Sequence, residues 1–532
     1  MYPRAESRGR PGQATSRKSP INRVDETSAR PEHGRHAETE SPLPSRRDVL
    51  RGASVLAAAP LLSLWSDSAI ATALGYDPSM SVNLSPEELA KYRNPALLKH
   101  LHAAKPLVNR ERANEIMDKY GLDALVATVP KNVYYLSSHD NAFYHTGIEH
   151  MLFALLPRRE DAPPALIIWG ALLYHLDYRP TWMPSVQIFT APLPLERLAG
   201  GALPSQQRTQ AEPSAELMQS DPPAVRYNRN LVRKGAKFSD RDRFQLALAA
   251  EFADRPAASS LYALKRAITA AGLTKGRIGF DDGRVIPWMK DIGLPRVTGI
   301  EAFDIFKDVR MVKSAAEIDL LRETSRRCEA ALDAAIASLH VGQAISDVEI
   351  EYRRTIGGLG GDTRWLIINQ DGLNSGRIER DKVIKIDSVG DYLGYVGDIG
   401  RSIVVGTPTD ETAGRNEANA KSLSIAYRAI RPGMPFEEVS TIVEDVMKQS
   451  GYNGFAAAHN VGMDHTDQPN SLANPRRRPE PLKFAEGSVF TIDVPYLEIG
   501  YGSSHVEDMM VCTKNGAVAL SSGNVNLRVR PA

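Results

Sequence analysis

The sequence predicts an α+β protein: an α/β domain followed by a second domain built from two similar halves. Three observations carry this. Apolar runs of strand length alternate with helical stretches from Asn109 to Phe280. After Asp308 a pattern of helix followed by two carboxylate-bearing strands occurs twice. A chain of 532 residues is long enough for two to four separate cores.

Residues 1–73 precede both domains. The first 45 are polar and rich in Pro, Gly, Ser and Arg, too poor in apolar area to offset the entropy of ordering. Arg46-Arg47, the apolar run from Ala53 to Trp65 and the small residues Ala69-Ile70-Ala71 follow, an order that resembles a twin-arginine export signal. The expectation is a protein exported, for example to the periplasm; the alternative is a polar tail leading into an amphipathic helix. The apolar run falls short of the ~18 residues needed to span a bilayer, so no membrane association of the mature form is expected.

The α/β domain is placed at 95–307. Asn109 opens a helix with Ala113, Ile116, Met117 and Tyr120 on one face, stopped by Gly121. Strands are expected at Ala124–Ala127, Phe153–Leu156, Ala165–Trp169 and Arg277–Phe280, with a helix over Ser259–Ala271. Residues 198–237, rich in Pro, Gln and Ser and without periodicity, are expected to form a surface insertion.

The second domain is placed at 308–532. Ser314 with Glu317 forms a capping box opening a long helix whose apolar face carries Ile318, Leu321, Cys328 and Leu332. A second box, Ser346 with Glu349, is expected to open the next helix. That helix runs into Gly357-Gly358-Leu359-Gly360-Gly361, which lacks the Lys-Ser/Thr of a phosphate loop and reads as a tight turn.

Composition excludes several function classes. With 65 basic against 64 acidic residues the net charge is +1, and no basic field exists to hold nucleic acid. Only Cys328 and Cys512 are present, which rules out a disulfide framework and cysteine zinc clusters and leaves pairing of these two open. Any metal must be held by His, Asp and Glu.

Such residues occur in a telling arrangement. Asp387 and Asp398, 11 residues apart, sit on strand-like segments flanking Gly390 and Gly394; Asp493 and Glu507, 14 apart, flank Gly500 and Gly502. Each spacing fits a hairpin. Asp387 and Asp493 each interrupt an apolar strand, Val383–Ile386 and Val489–Ile492, where an unpaired charge is costly. Two facing hairpins would gather four carboxylates around one point, and such a cluster needs protons or metal ions.

From Asn109 to Gly516 the chain resembles the pita-bread metallopeptidase family of aminopeptidase P, prolidase, methionine aminopeptidase and creatinase. The resemblance rests on Asp398-Ile399-Gly400-Arg401, His459-Asn460-Val461-Gly462 and Val506-Glu507-Asp508-Met509, with Gly121–Leu125 and Tyr134-Tyr135-Leu136 in the first domain. It implies a creatinase-type N-terminal domain before a pita-bread catalytic domain of two pseudo-symmetric halves. It also implies two divalent ions, manganese first, with iron, cobalt or zinc as alternatives, held by Asp387, Asp398, His459, Asp493 and Glu507. Asp387 would serve the first ion, Asp398 and Glu507 both, and His459 with Asp493 the second. The implied reaction is hydrolysis of an amide bond next to proline, in a peptide or small amide, by a hydroxide bridging the ions. A homodimer is implied as well.

Four departures from the family pattern stand out. Asp493 replaces a Glu, so its shorter carboxylate is expected to hold the second ion loosely. Asn369–Lys385 contains no His where the peptidases carry one. His505 stands where an Arg is common and is expected to orient Asp387. Gly400 replaces a Thr. His465, six residues after His459, is with Asp493 the candidate catalytic residue, as a proton donor or oxyanion stabiliser; otherwise it is a loop histidine bonded to Asp467. Two alternative functions remain: another enzyme on this scaffold, such as an amidinohydrolase or metal-dependent lyase, or a metal-free binding module. The intact ligand set speaks against creatinase chemistry and the binding module, and Val389 against the lyases, which carry an acid there.

Overall fold

The computed structural model describes residues 80–140, 150–190, 231–253, 256–469 and 481–532. The leader at 1–73 and most of the 198–237 segment lie outside the described residues. Among them no helix is long and apolar enough to cross a membrane.

The first part carries strands β1 (Ser81–Asn83), β2 (Ala124–Ala127), β3 (Phe153–Pro157), β4 (Ala165–Trp169), β5 (Ser185–Phe189), β6 (Leu231–Arg233), β7 (Arg277–Phe280) and β8 (Thr298–Glu301). β1 pairs with β6, and the other six form one mixed sheet in the order β5-β4-β3-β2-β7-β8. Helix α1 (Arg110–Tyr120) begins where the Asn109 side chain accepts from Arg112 N and ends at Gly121 in the left-handed conformation. Alternation along β2 sends Leu125 and Ala127 into the core shared with Ile116 and Met117 of α1. Ala124 and Val126 face Leu264 and Ile268 of the helix Ser260–Ala270 on the other side. Helices α2 (Pro130–Ser137), Ser260–Ala270 as α3, and α4 (Phe303–Arg310) complete the elements used below. Asp308 lies inside α4, which runs toward the second part without a break.

The second part is a pita-bread fold of two halves. Helices α5 (Ala315–Ser338) and α6 (Ile345–Gly358) pack on β9 (Asp362–Gln370), β10 (Val383–Tyr392) and β11 (Tyr395–Val405). Helices α7 (Asp410–Ala429) and α8 (Glu437–Gln449) pack on a sheet of β12 (Ala457–Asn460), β13 (Val489–Glu498), β14 (Gly502–Val506), β15 (Met509–Thr513) and β16 (Gly516–Ala519). A last strand, β17 (Arg528–Arg530), pairs parallel to β11. The Ser314–Glu317 capping box is formed at α5, and Leu321, Cys328 and Leu332 are buried on its inner face. Cys328 and Cys512 are both buried and free.

The expected capping box at Ser346 is not formed. Helix α6 starts at Ile345, one residue before Ser346, and has no side-chain cap. Tertiary pairing decides the start: Ala344 bridges Arg377, and Ile345 N donates to Gly376 O, holding the chain extended up to Ala344. Strands β10 and β11 join through Leu393 and Gly394, with φ of 50° and 77°, the tight two-residue hairpin turn. Gly390 belongs to β10 rather than the turn and lies at a register shift.

Candidate metal centre

Register brings the five sequence-predicted ligands together. Asp398 lies opposite Val389 on β10, and Asp387 opposite Gly400 on β11, so the two carboxylates are diagonal neighbours on one face. On the other sheet Asp493 pairs with Ala457, and His459, two residues on, pairs with Thr491. Glu507 follows the end of β14, whose Val506 faces Val494. The halves are joined by a backbone bridge in which Gly400 N donates to Glu507 O at 3.2 Å and Glu507 N to Gly400 O at 3.1 Å.

The donor atoms converge. His459 Nε2 lies 3.2 Å from Asp493 Oδ2, 3.6 Å from Asp398 Oδ2 and 4.0 Å from Glu507 Oε1. Its Nδ1 faces the carbonyl oxygen of His465 at 3.1 Å. A carbonyl only accepts, so Nδ1 carries a proton and the ring turns its Nε2 into the cluster. The shorter side chain of Asp493 therefore reaches the group: one donor atom each from His459, Asp493 and Glu507 fall within 4.8 Å of one another.

Electrostatically the cluster lacks positive charge. Burial, then the charges of Asp398, Asp493 and Asp387, push the Glu507 carboxyl far above its usual range. Burial also raises Asp387, helped by Asp398 and Asp493 and opposed by His505 and Lys385. Burial disfavours charge on Asp493 too, but the His459 ring 3.2 Å away and the nearby His505 outweigh it and hold the carboxyl below the ordinary range. Asp398 is fully buried, yet neither of its oxygens has a hydrogen-bond partner, and His459 Nε2 has none. Buried acceptors left unmade are costly, and oxygen and imidazole donors aimed at one point fit divalent cations.

His465 stands beside this group, its Nε2 3.0 Å from Asp398 Oδ2 and its Nδ1 3.1 Å from Thr466 Oγ1. It does not bond Asp467, whose carboxylate instead takes the Arg310 guanidinium at 2.6 Å. His505 also departs from expectation: its Nε2 lies 3.0 Å from Glu507 Oε2 and 3.6 Å from Asp493 Oδ1, so its hydrogen-bonding neighbour is Glu507 rather than Asp387.

Several residues given no role by the sequence reading support the centre. Arg401 is buried and donates to Glu507 O at 2.6 Å and to Asp508 Oδ1 at 2.8 Å, fixing the backbone that carries the ligand Glu507. Its place in the Asp398–Arg401 motif was the one available signal. Lys313 Nζ donates to Asn460 Oδ1 at 3.0 Å, steadying the residue after His459. Trp365 packs edge-on against His465 with ring centroids 4.4 Å apart. Next to His465 opens a cavity of about 640 Å³, lined from α4 by Lys307 and Arg310 and from the second part by Arg364, Trp365 and Met463.

Residues 319–514 match metallopeptidase family M24. Among curated proteins the chain is similar to an Xaa-Pro dipeptidase of Pyrococcus furiosus, 28% identical over 231 residues, covering 41% of this chain and 65% of that protein. A probable dipeptidase PepE of Mycobacterium tuberculosis is 24% identical over 248 residues, covering 44% and 65%. These matches span just under two thirds of the relatives' length. Among solved structures, dipeptidase PepE of Mycobacterium ulcerans superposes with a TM-score of 0.51 at 17% identity, over 83% of this chain and 100% of that one. The X-Pro aminopeptidase of Thermotoga maritima gives 0.52 at 16%, over 79% and 99%. These likenesses establish the pita-bread fold.

Proposed function

We propose that the protein is an exported, metal-dependent hydrolase of the Xaa-Pro peptidase type that cleaves the amide bond of a short peptide. The observation that carries this reading is the fully buried Asp398, both oxygens without a hydrogen-bond partner, at the meeting point of Asp387, His459, Asp493 and Glu507. Names of the similar proteins, Xaa-Pro dipeptidase among them, support the substrate class. Export is supported by Arg46-Arg47 and the apolar run after it.

The five ligand residues would hold two divalent ions, manganese, iron, cobalt or zinc, which when bound supply Lewis acidity and a water of lowered pKa. The chain's own groups do the rest. His465, which lines the cavity and stands 3.0 Å from Asp398, is placed to donate to the oxygen of the scissile carbonyl or to the departing amine. Trp365, packed on His465, and Met463 line the same cavity, apolar surface that would limit water around the reacting bond. Lys307 on the cavity wall suits a substrate's free carboxylate. A small anionic amide is the second reading, favoured by Lys307, the cation of the cavity wall that has no carboxylate partner among the described residues.

Elemental analysis combined with Xaa-Pro dipeptide hydrolysis tests the proposal. The wild-type protein should carry divalent metal and cleave the dipeptides; Asp398→Asn and Glu507→Gln should lose most of the metal and more than ~100-fold of the activity, beyond the usual effect of removing a supporting partner. Full metal and activity in both variants would refute the site. Metal without dipeptide cleavage would favour the small-amide reading. Replacing Arg46 and Arg47 by Lys should retain the precursor inside the cell; undiminished export would refute that part.

A further inference from the structure

His505 is buried in strand β14 with 1% of its surface exposed, and its ring enters the carboxylate cluster. Its backbone is clamped: His505 N donates to Ser402 Oγ at 2.9 Å, and Ser402 Oγ donates to His505 O at 3.0 Å. The ring has room because residue 400 is glycine. A Cβ there would stand 1.9 Å from His505 Cδ2 and 2.4 Å from its Nε2, so the imidazole fills the space a side chain on β11 would occupy. Gly400 and His505, separate departures in the sequence, are one steric change.

We propose that His505 Nε2 is a direct ligand of the ion held by Asp387 and Glu507, giving the centre a second imidazole. This rests on reading the cluster as a metal centre. Donor atoms of Asp387, His505 and Glu507 lie within 4.8 Å of one another, as do those of His459, Asp493 and Glu507 and those of Asp398, His459 and His465. His505 Nε2 is 3.0 Å from Glu507 Oε2, the separation of adjacent donors when each is about 2.1 Å from a shared ion.

Of the two ring nitrogens Nε2 alone faces polar atoms, Glu507 Oε2 at 3.0 Å and Asp493 Oδ1 at 3.6 Å, while Nδ1 has no hydrogen-bond partner. Two imidazoles also move the donor set from manganese toward iron, cobalt or zinc.

Proton NMR of the cobalt(II)-loaded protein tests this, because the Nδ1 proton of a histidine bound through Nε2 is shifted far outside the ordinary range. The wild type should show two such exchangeable resonances, one absent in His459→Gln and the other in His505→Gln. Gly400→Ala, which keeps His505 but takes its space, should lose the same resonance as His505→Gln while its circular dichroism stays native. His465→Gln should retain both. A His505→Gln spectrum identical to wild type, or a single wild-type resonance that disappears in His459→Gln, would overturn the proposal. Cobalt bound with both resonances but no peptide cleavage would uphold it and refute the peptidase reading; no cobalt binding at all would overturn both.

Discussion

Arg401 and Asp508 form a buried ion pair, Nη2 to Oδ1 at 2.8 Å, that ties strand β11 of one half to the segment between β14 and β15 of the other. The same guanidinium donates to the carbonyl oxygens of Gly400 and Glu507, the two residues of the bridge between the halves. Asp508→Ala would leave the guanidinium buried against only Glu329, whose carboxylate is 3.6 Å away. Breaking a buried pair from one side typically costs ~3 to 5 kcal/mol. Chemical denaturation should show a loss in that range, and an unchanged midpoint would assign the joining of the halves to other contacts.

Asp493 already brings Oδ2 to 3.2 Å from His459 Nε2, so lengthening it to Glu should overfill the site rather than complete it. The added methylene displaces the carboxylate by ~1.5 Å, about one C–C bond, while metal sites tolerate ~0.2 Å in ligand distance. Isothermal titration of the metal-free protein should show weaker binding of the second ion in Asp493→Glu, by about tenfold or more. Tighter binding in that variant would mean that the shorter side chain leaves the ion loosely held, as the sequence alone suggests.

What could be read from sequence was whatever local chemistry decides. The Asn109 cap, the Ser314–Glu317 box and the carboxylates interrupting apolar strands depend on neighbours a few residues away, and each is seen in the structure. The start of α6 was misread because Gly376 and Arg377, some 30 residues on, outweigh the local box at Ser346. The roles of Arg401 and His505 were hidden for the same reason on a longer scale: the Gly400–Glu507 bridge pairs segments more than 100 residues apart, and no local pattern encodes its register. Trp365 carried no signal, since an aromatic residue on a strand is ordinarily core, and here it stands 38% exposed against His465.

Lys307 should set substrate preference. The other cations on the cavity wall are matched: Lys131 by Asp464, Arg310 by Asp464 and Asp467, Arg364 by Asp391 at 2.5 Å. Among the described residues Lys307 has no carboxylate partner; its ammonium lies 5.3 Å from the Phe303 ring centroid. Lys307→Gln should raise KM for dipeptides with a free carboxylate about tenfold, equivalent to ~1.4 kcal/mol, and leave kcat nearly unchanged. Amidated substrates should show no such change. Equal effects on both would mean that Lys307 does not read the carboxylate.

Acid sensitivity should come in part from His139, in the first part of the structure. The ring is 1% exposed, and its Nδ1 donates to the Arg179 carbonyl oxygen at 2.5 Å. Burial, and the positive charge of His175 and Arg179, lower its pKa to about 4 despite that hydrogen bond. In the unfolded chain the ring titrates near 6.5. Between those values the unfolded state takes up a proton that the folded state refuses, so stability is complete above pH 6.5 and falls as the pH drops toward 4. The full difference is on the order of 3 kcal/mol at 1.36 kcal/mol per pKa unit. Other buried groups titrate in the same interval, Asp281 among them, whose pKa burial raises to about 7. Its effect has the opposite sign, since an acid kept protonated in the fold loses stability as the pH rises. The His139 contribution is therefore isolated by comparison with His139→Asn, whose amide nitrogen takes the place of Nδ1 as donor to Arg179 but cannot titrate. Urea denaturation from pH 7 to pH 4.5 should show the wild type losing ~2 to 3 kcal/mol more than the variant. Parallel pH profiles for the two proteins would show that the ring takes up its proton without unfolding.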